Sequence, residues 1–378
     1  MSQLARIMSR SSVTAVALLL ACHDPDTPDG SRLPTDPGEP TAAKAASFAS
    51  LTLLPTLSGR IGEALAVNAA GTVVVGSAWE RGPTGTVRAV RWTQGADGSW
   101  VIAVLPQQAG TTGATARGVD DQGNAAGNDF PASTSDAVLW PAGGTFTVLS
   151  CAGETGEASV HDISGGGQAV VGSYAVRPAP ATAGVWRLGG CREDLPPLAV
   201  GGWARASAAN GDGTIVGGAA ALTSQGEALP VRWTLLTGQW QAEQLDQRPG
   251  SVHGANGVGD LAGVVNISCG VTGGCQRAII WSANGGSHEL GTLGGSDSWA
   301  HDINAAGEVV GGSTSSQGNT GYFWSAATGM LQLPAGSRCC ATANAVSDIR
   351  QDGTRLVAGL AGRDGRAAVW VVRPPATP

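Results

Sequence analysis

The chain is nearly without lysine, Lys44 being its single copy, and charged residues make up only 13% of 378 positions. A net charge of −7 and the lack of any basic stripe argue against nucleic-acid binding, which needs a cluster of cations to displace counterions from phosphates. No amphipathic helical pattern of any length follows residue 60. Enzyme signatures are missing too: no Gly-x-Ser-x-Gly elbow, no His-Glu-x-x-His, no Walker loop, no Gly-x-Gly-x-x-Gly opening a helix. Zinc-type Cys-x-x-Cys pairs are absent as well, so neither a metal nor an organic cofactor is expected.

The first 22 residues read as a processing segment. Arg6 and Arg10 supply a positive start, and Ser12–Leu20 is apolar but too short to span a bilayer. It ends Leu19-Leu20-Ala21-Cys22, which resembles the lipobox of bacterial lipoproteins, in which the cysteine carries lipid. An ordinary secretory signal with a chance cysteine is the other reading, and export follows from both. Residues 23–45 are rich in proline, aspartate and threonine with almost no large apolar side chains, so they are expected to be a disordered tether. A single folded domain then spans 46–374. In an oxidising compartment the six other cysteines favour disulfides. Cys269 and Cys275 bracket a five-residue turn and are the first candidates to pair. A Cys151–Cys191 bridge and a vicinal Cys339–Cys340 bridge are further possibilities.

What the chain does have is 58 glycines, 12 tryptophans and short β-branched runs such as Val73-Val74-Val75, material for many strands and turns. A tryptophan ending an apolar run recurs at Trp92, Trp140, Trp186, Trp233, Trp281, Trp324 and Trp370, 43 to 48 residues apart. A turn and a short strand precede each one, as in VNAAGTVVVG, ISGGGQAVVG and INAAGEVVGG. Every copy reads as four strands, with glycine supplying the positive φ of a tight hairpin. Seven such copies predict an all-β, seven-bladed β-propeller with four antiparallel strands per blade. A linear β-solenoid is the competing architecture. Blade seven lacks a fourth strand after Trp370, while LLPTLSG (53–59) matches the fourth-strand run LGTLGG (290–295). The N-terminal strand is therefore expected to close the last blade and remove two open sheet edges.

These repeats are similar to the HAF-type extracellular repeat family of bacterial proteins, above all in LGTLGG…AHDINAAGEVVGGS…GYFW and more weakly over residues 50–371. The His-Ala-Phe tripeptide is replaced by Arg88-Ala89-Val90, Asp136-Ala137-Val138, Arg277-Ala278-Ile279 and Arg366-Ala367-Ala368. The resemblance implies export and a propeller-like array, and no reaction.

Three of the five histidines share one repeat position. Counting back three from the Asn-like turn residue gives Leu65, Arg117, His161, Ser207, His253, His301 and Ser347, with Asp162, Asp302 and Asp348 one place on. On the innermost strands these residues would ring a central channel. They could form a polar ligand site at its mouth, or each could bond the backbone of a neighbouring blade. The spread over blades three, five and six argues against a metal.

The second-to-third strand loops vary and share a face with the blade-to-blade connections. That face is expected to collect Trp79, Phe130, Tyr174, Trp203, Trp299 and the six cysteines. Flat aromatic rings on loops suit a glycan or protein partner, or they tuck between blades. Two functions follow. The first is a monomeric, non-enzymatic binding module, lipid-anchored at the outer membrane, cell surface or periplasm, for a glycan, peptide or envelope protein. The alternative is an envelope lyase or hydrolase that uses the channel His and Asp residues.

Overall fold

In a computed structural model of the protein, the described residues are 48–375 without 60, 82–84, 132–133, 151–155, 177, 188–190, 270–272 and 336–339. The signal segment, the tether and Cys22 lie outside them, as do Cys151 and Cys339.

Valine- and alanine-rich runs, too short and too often broken by glycine for helix, give seven four-stranded antiparallel sheets. The inner strands are Gly62–Val67, Ala114–Val119, Glu157–Ile163, Ala204–Ala209, Gly250–Ala255, Gly294–Ile303 and Ala341–Val346. Each packs beside the next, and the seventh packs beside the first, so the blades form a closed ring. This is a seven-bladed β-propeller, and the solenoid is excluded.

Closure follows the expected route. Ala49–Leu53 pairs antiparallel with Arg366–Val372 as the fourth strand of blade seven, from Ala49 opposite Val372 to Leu53 opposite Ala368. Of the LLPTLSG run expected to form it, only Leu53 belongs to the strand, which extends back to Ala49. Leu54 and Phe48, both buried, anchor its two ends.

Faces of neighbouring blades meet through small residues and one large one. The repeat tryptophans are all buried, at 8% exposure or less. Four of them donate their indole N–H to a proline carbonyl on the preceding blade: Trp92 to Pro55, Trp140 to Pro106, Trp233 to Pro196 and Trp370 to Pro334, all at 2.7–2.8 Å. Each proline follows a buried leucine that comes directly after a fourth strand (Leu54, Leu105, Leu195 and Leu333). A Leu-Pro pair thus recurs with the tryptophan and zips blade to blade, satisfying a buried donor.

The hairpin after each inner strand is a side-chain-capped turn. Asn68 Oδ1 accepts from Thr72 N and Val73 N at 2.9 and 3.0 Å, and Gly71 takes φ of 66° to turn the chain. Asp120, Ser164, Asn210, Asn256 and Asn304 cap their hairpins in the same way.

Candidate functional site

Every inner strand carries a β-bulge at one place. The register slips between Ala64 and Ala66, Ala116 and Gly118, Val160 and Asp162, Ala206 and Ala208, Val252 and Gly254, Ala300 and Asp302, and Ala343 and Ala345. The extra residues are Leu65, Arg117, His161, Ser207, His253, His301 and Asn344. They form one belt lining a central cavity of about 380 Å³. A glycine of the second strand stands by each bulge. A Cβ on Gly76, Gly127, Gly172, Gly218, Gly263, Gly311 or Gly359 would run into an inner-strand carbonyl oxygen. That collision explains the glycine that closes each VVVG-like run.

Blade seven corrects the sequence alignment. Its belt residue is Asn344, not Ser347, and Ala345 rather than Asp348 follows it. Ser347 caps the hairpin, with Leu356 N donating to its Oγ at 2.8 Å. The Arg350–Gly353 tight turn, which looked equivalent to the other turns, is displaced to the tip of a longer hairpin. Asp348 instead joins Ala69, Asp121, Gly165, Gly211, Gly257 and Ala305 around the mouth of the cavity, on the hairpin side of the ring.

The belt is bonded outward to the next blade. His253 Nδ1 donates to Ala300 O at 2.9 Å and His301 Nδ1 donates to Ala343 O at 2.8 Å. A carbonyl partner requires the proton on Nδ1, so each Nε2 is an acceptor. Ser251 Oγ lies 2.7 Å from His253 Nε2, and Ser159 Oγ lies 3.4 Å from His161 Nε2. Asp302 accepts from Ile303 N and, on the next blade, Val346 N, both at 2.8 Å. Asp162 does the same with Ile163 N at 2.8 Å and Ala209 N at 3.1 Å. The expected bonding to a neighbouring blade's backbone is present for His253, His301, Asp162, Asp302 and Asp348, while His161 meets Ser159 on its own strand, and all of them line the cavity.

Burial sets the charge states. It depresses all three imidazoles, helped by Arg117 and Arg205 at His161 and by His301 and Arg205 at His253, whose pKa falls to about 4. Burial raises Asp162 and Asp302 to about 7, with Asp302 repelling Asp162 and Asp348 repelling Asp302. Asp121 is raised by burial, with Asp348 and Asp120 adding to it. One layer further in, burial raises Glu63 while Arg117 and the Asn344 side chain pull it down. Among the described residues no cluster of His, Cys, Asp and Glu is arranged to hold a metal ion.

The aromatic residues expected on the variable-loop face separate. Trp203 lies there half-buried, its indole N–H donating to Gly226 O at 3.1 Å. Trp79 ends a second strand, its ring against Gly59 and Gly85. Trp299 belongs to an inner strand, two residues before His301, and donates to Gln276 Oε1. The Tyr174 ring is covered by the Arg192 guanidinium at 3.7 Å. Cys269 and Cys275 form a disulfide across a second-to-third strand loop, Cα atoms 5.7 Å apart. Cys191 and Cys340 are also disulfide-bonded. Cys191 sits at a third-to-fourth strand connection, on the opposite face from the one expected.

The sequence missed three exposed apolar side chains on the variable-loop face. Val200 is 99% exposed, Leu222 51% and Val176 46%, on the connections around blades three and four. Backbone bonds tie these segments together: Ala221 N donates to Trp203 O at 2.8 Å and Ala204 N to Ala181 O at 2.9 Å. Elsewhere Val258, Ile349 and Leu236 are exposed singly, which is ordinary for a protein surface.

No family model matches the chain, and no curated protein matches it in sequence. Solved structures do match in shape. A streptogramin B lyase aligns with TM-score 0.53 at 9% identity over 87% of this chain and 99% of its own. A catalytically inactive virginiamycin B lyase from Staphylococcus aureus with quinupristin gives 0.52 at 12% identity, over 86% and 99%. YCF48 bound to D1 peptide gives 0.50 at 11% identity, over 87% and 98%. At such identities the likeness establishes the fold alone, and on that ground the chain is a β-propeller.

Proposed function

We propose that the protein is an exported, lipid-anchored interaction module whose variable-loop face docks a peptide segment of a protein partner. The observation that carries this reading is the exposure of Val200, Leu222 and Val176 beside half-buried Trp203. Exposed apolar side chains on neighbouring connections, beside an aromatic ring held by its indole N–H, supply anchors for a partner's apolar side chains. The likeness to YCF48, solved with a bound peptide, supports a peptide over a glycan. Export and the lipid anchor rest on the Arg6, Arg10 and Leu19-Leu20-Ala21-Cys22 pattern.

The second reading, a lyase or hydrolase in the channel, is favoured by one contact: Ser251 Oγ sits 2.7 Å from His253 Nε2, with Nδ1 held by Ala300 O. A hydroxyl on an oriented imidazole is the arrangement of an activated nucleophile. Against it, a His253 pKa of about 4 makes a weak base at neutral pH, because burial, the His301 ring and Arg205 all oppose its charge.

A random-peptide display selection on the full chain tests the first reading. Selected peptides should carry apolar anchors and lose affinity about tenfold or more against Val200→Asp/Leu222→Asp. His253→Gln should bind them unchanged. Peptides that ignore the double substitution would move the site elsewhere.

A further inference from the structure

The central cavity is independent of the variable-loop face, since it opens on the hairpin side, and its chemistry is lopsided. Among the described lining residues, four are aspartates (Asp121, Asp162, Asp302 and Asp348) and the only cation is Arg117, which Glu63 offsets; Arg205, outside the lining, still acts on His161 and His253. Three neutral imidazoles complete the lining. Because His301 donates its Nδ1–H to Ala343 O, the neutral ring presents its Nε2 lone pair as a hydrogen-bond acceptor within the cavity lining. Asp121 and Asp348 each accept one backbone N–H at the mouth, from Ala69 at 3.2 Å and from Ala305 at 2.8 Å. An ionised carboxylate has about four acceptor sites, so both keep capacity to spare. The cavity therefore offers acceptors and negative charge in excess of donors. Its volume falls within the range of small-molecule sites, roughly 300–1,000 Å³.

We propose that this channel binds a small ammonium-bearing molecule, whose N–H groups donate to His301 Nε2 and to the mouth carboxylates Asp121 and Asp348. The recognition has two independent parts. The belt supplies a directional acceptor fixed by the neighbouring blade, and the mouth supplies charge. An anion is disfavoured, because it would meet the Asp121 and Asp348 carboxylates at the mouth. A neutral sugar would satisfy the acceptors and leave the mouth charge uncompensated.

Calorimetric titration of the full chain with 1,4-diaminobutane tests the assignment. One saturable site is expected, weakening about tenfold or more in Asp121→Asn/Asp348→Asn and in His301→Phe. The amide keeps an acceptor oxygen for each backbone N–H and removes the charge, so the melting midpoint should move little. His301→Phe keeps a ring but removes both the Nε2 acceptor and the Nδ1 donor to Ala343 O, so its loss of binding counts only where its melting midpoint shows the fold intact. Binding unchanged by both variants, or no saturable heat at millimolar diamine, would overturn the proposal. So would a calcium or zinc titration that saturates the same residues while the diamine stays silent.

Discussion

His301 Nδ1 lies 2.8 Å from the carbonyl oxygen of Ala343, so a channel imidazole of blade six is held by the backbone of blade seven. The contact joins the site to the fold. Losing it would leave a buried carbonyl without its donor and free the ring to turn, so site geometry and ring closure depend on the same bond.

The histidines should therefore shape the acid limb of stability. Each folded-state pKa lies below the ordinary 6.5, so the unfolded chain binds protons first as pH falls. Their contribution is complete above 6.5 and is lost from there down towards about 4, the value for His253. Asp162 and Asp302 act in the opposite sense. Raised to about 7 from 3.8, they take up protons in the folded state first and add stability as pH drops. Replacing His161, His253 and His301 by glutamine should flatten the loss of melting temperature between pH 6.5 and 4.5. NMR of the imidazole carbons should find His253 neutral at pH 5.5. A ring that titrates near 6.5 would refute its buried, carbonyl-bound state.

Blades six and seven are also joined by a buried ion pair. Glu308 meets Arg355 Nε at 2.7 Å and Nη2 at 2.5 Å, and also accepts from Asn304 Nδ2 at 2.8 Å. Removing one partner strands the other charge. Glu308→Ala should cost about 3–5 kcal/mol by denaturant unfolding, and a double-mutant cycle with Arg355→Ala should recover much of that loss.

The glycine beside each bulge yields a sharp contrast. Gly172→Ala would drive a methyl into Ser159 O and should cost about 3 kcal/mol. Gly143 has open space around it, so Gly143→Ala should change stability by about 0.5 kcal/mol or less. Chemical denaturation of the two variants distinguishes them.

The clasp is testable by truncation. Deleting residues 46–58 removes Phe48 and Leu54, each worth about 3 kcal/mol buried, and uncovers the edge of Arg366–Val372. A fall of about 10 °C or more in melting midpoint is expected. A truncated protein that melts like the full chain would contradict closure by this strand.

The periodicity of tryptophan and of the capped turn made the blade count and the clasp readable, because both recur in type and spacing. The bulge did not show, since an extra residue in one strand leaves no mark on composition. In blade seven this cost the register: the Arg350–Gly353 turn matched the motif while the ladder ended at Ser347 and Leu356. The belt was legible for His161, His253 and His301, whose side chains are rare in this chain, and illegible for Asn344. Trp299 looked like a rim residue because an exposed loop and an inner strand share the same small and polar neighbours. The exposed Val200 was invisible because exposure of a single valine depends on which loops the ring brings together.

The docking surface is tested most directly by hydrogen exchange of the full chain with and without a display-selected peptide. Slowed exchange is expected at 178–181, 199–203 and 221–228, with the belt around His253 and His301 unchanged. Protection confined to the channel belt, or none on the variable-loop face, would contradict it.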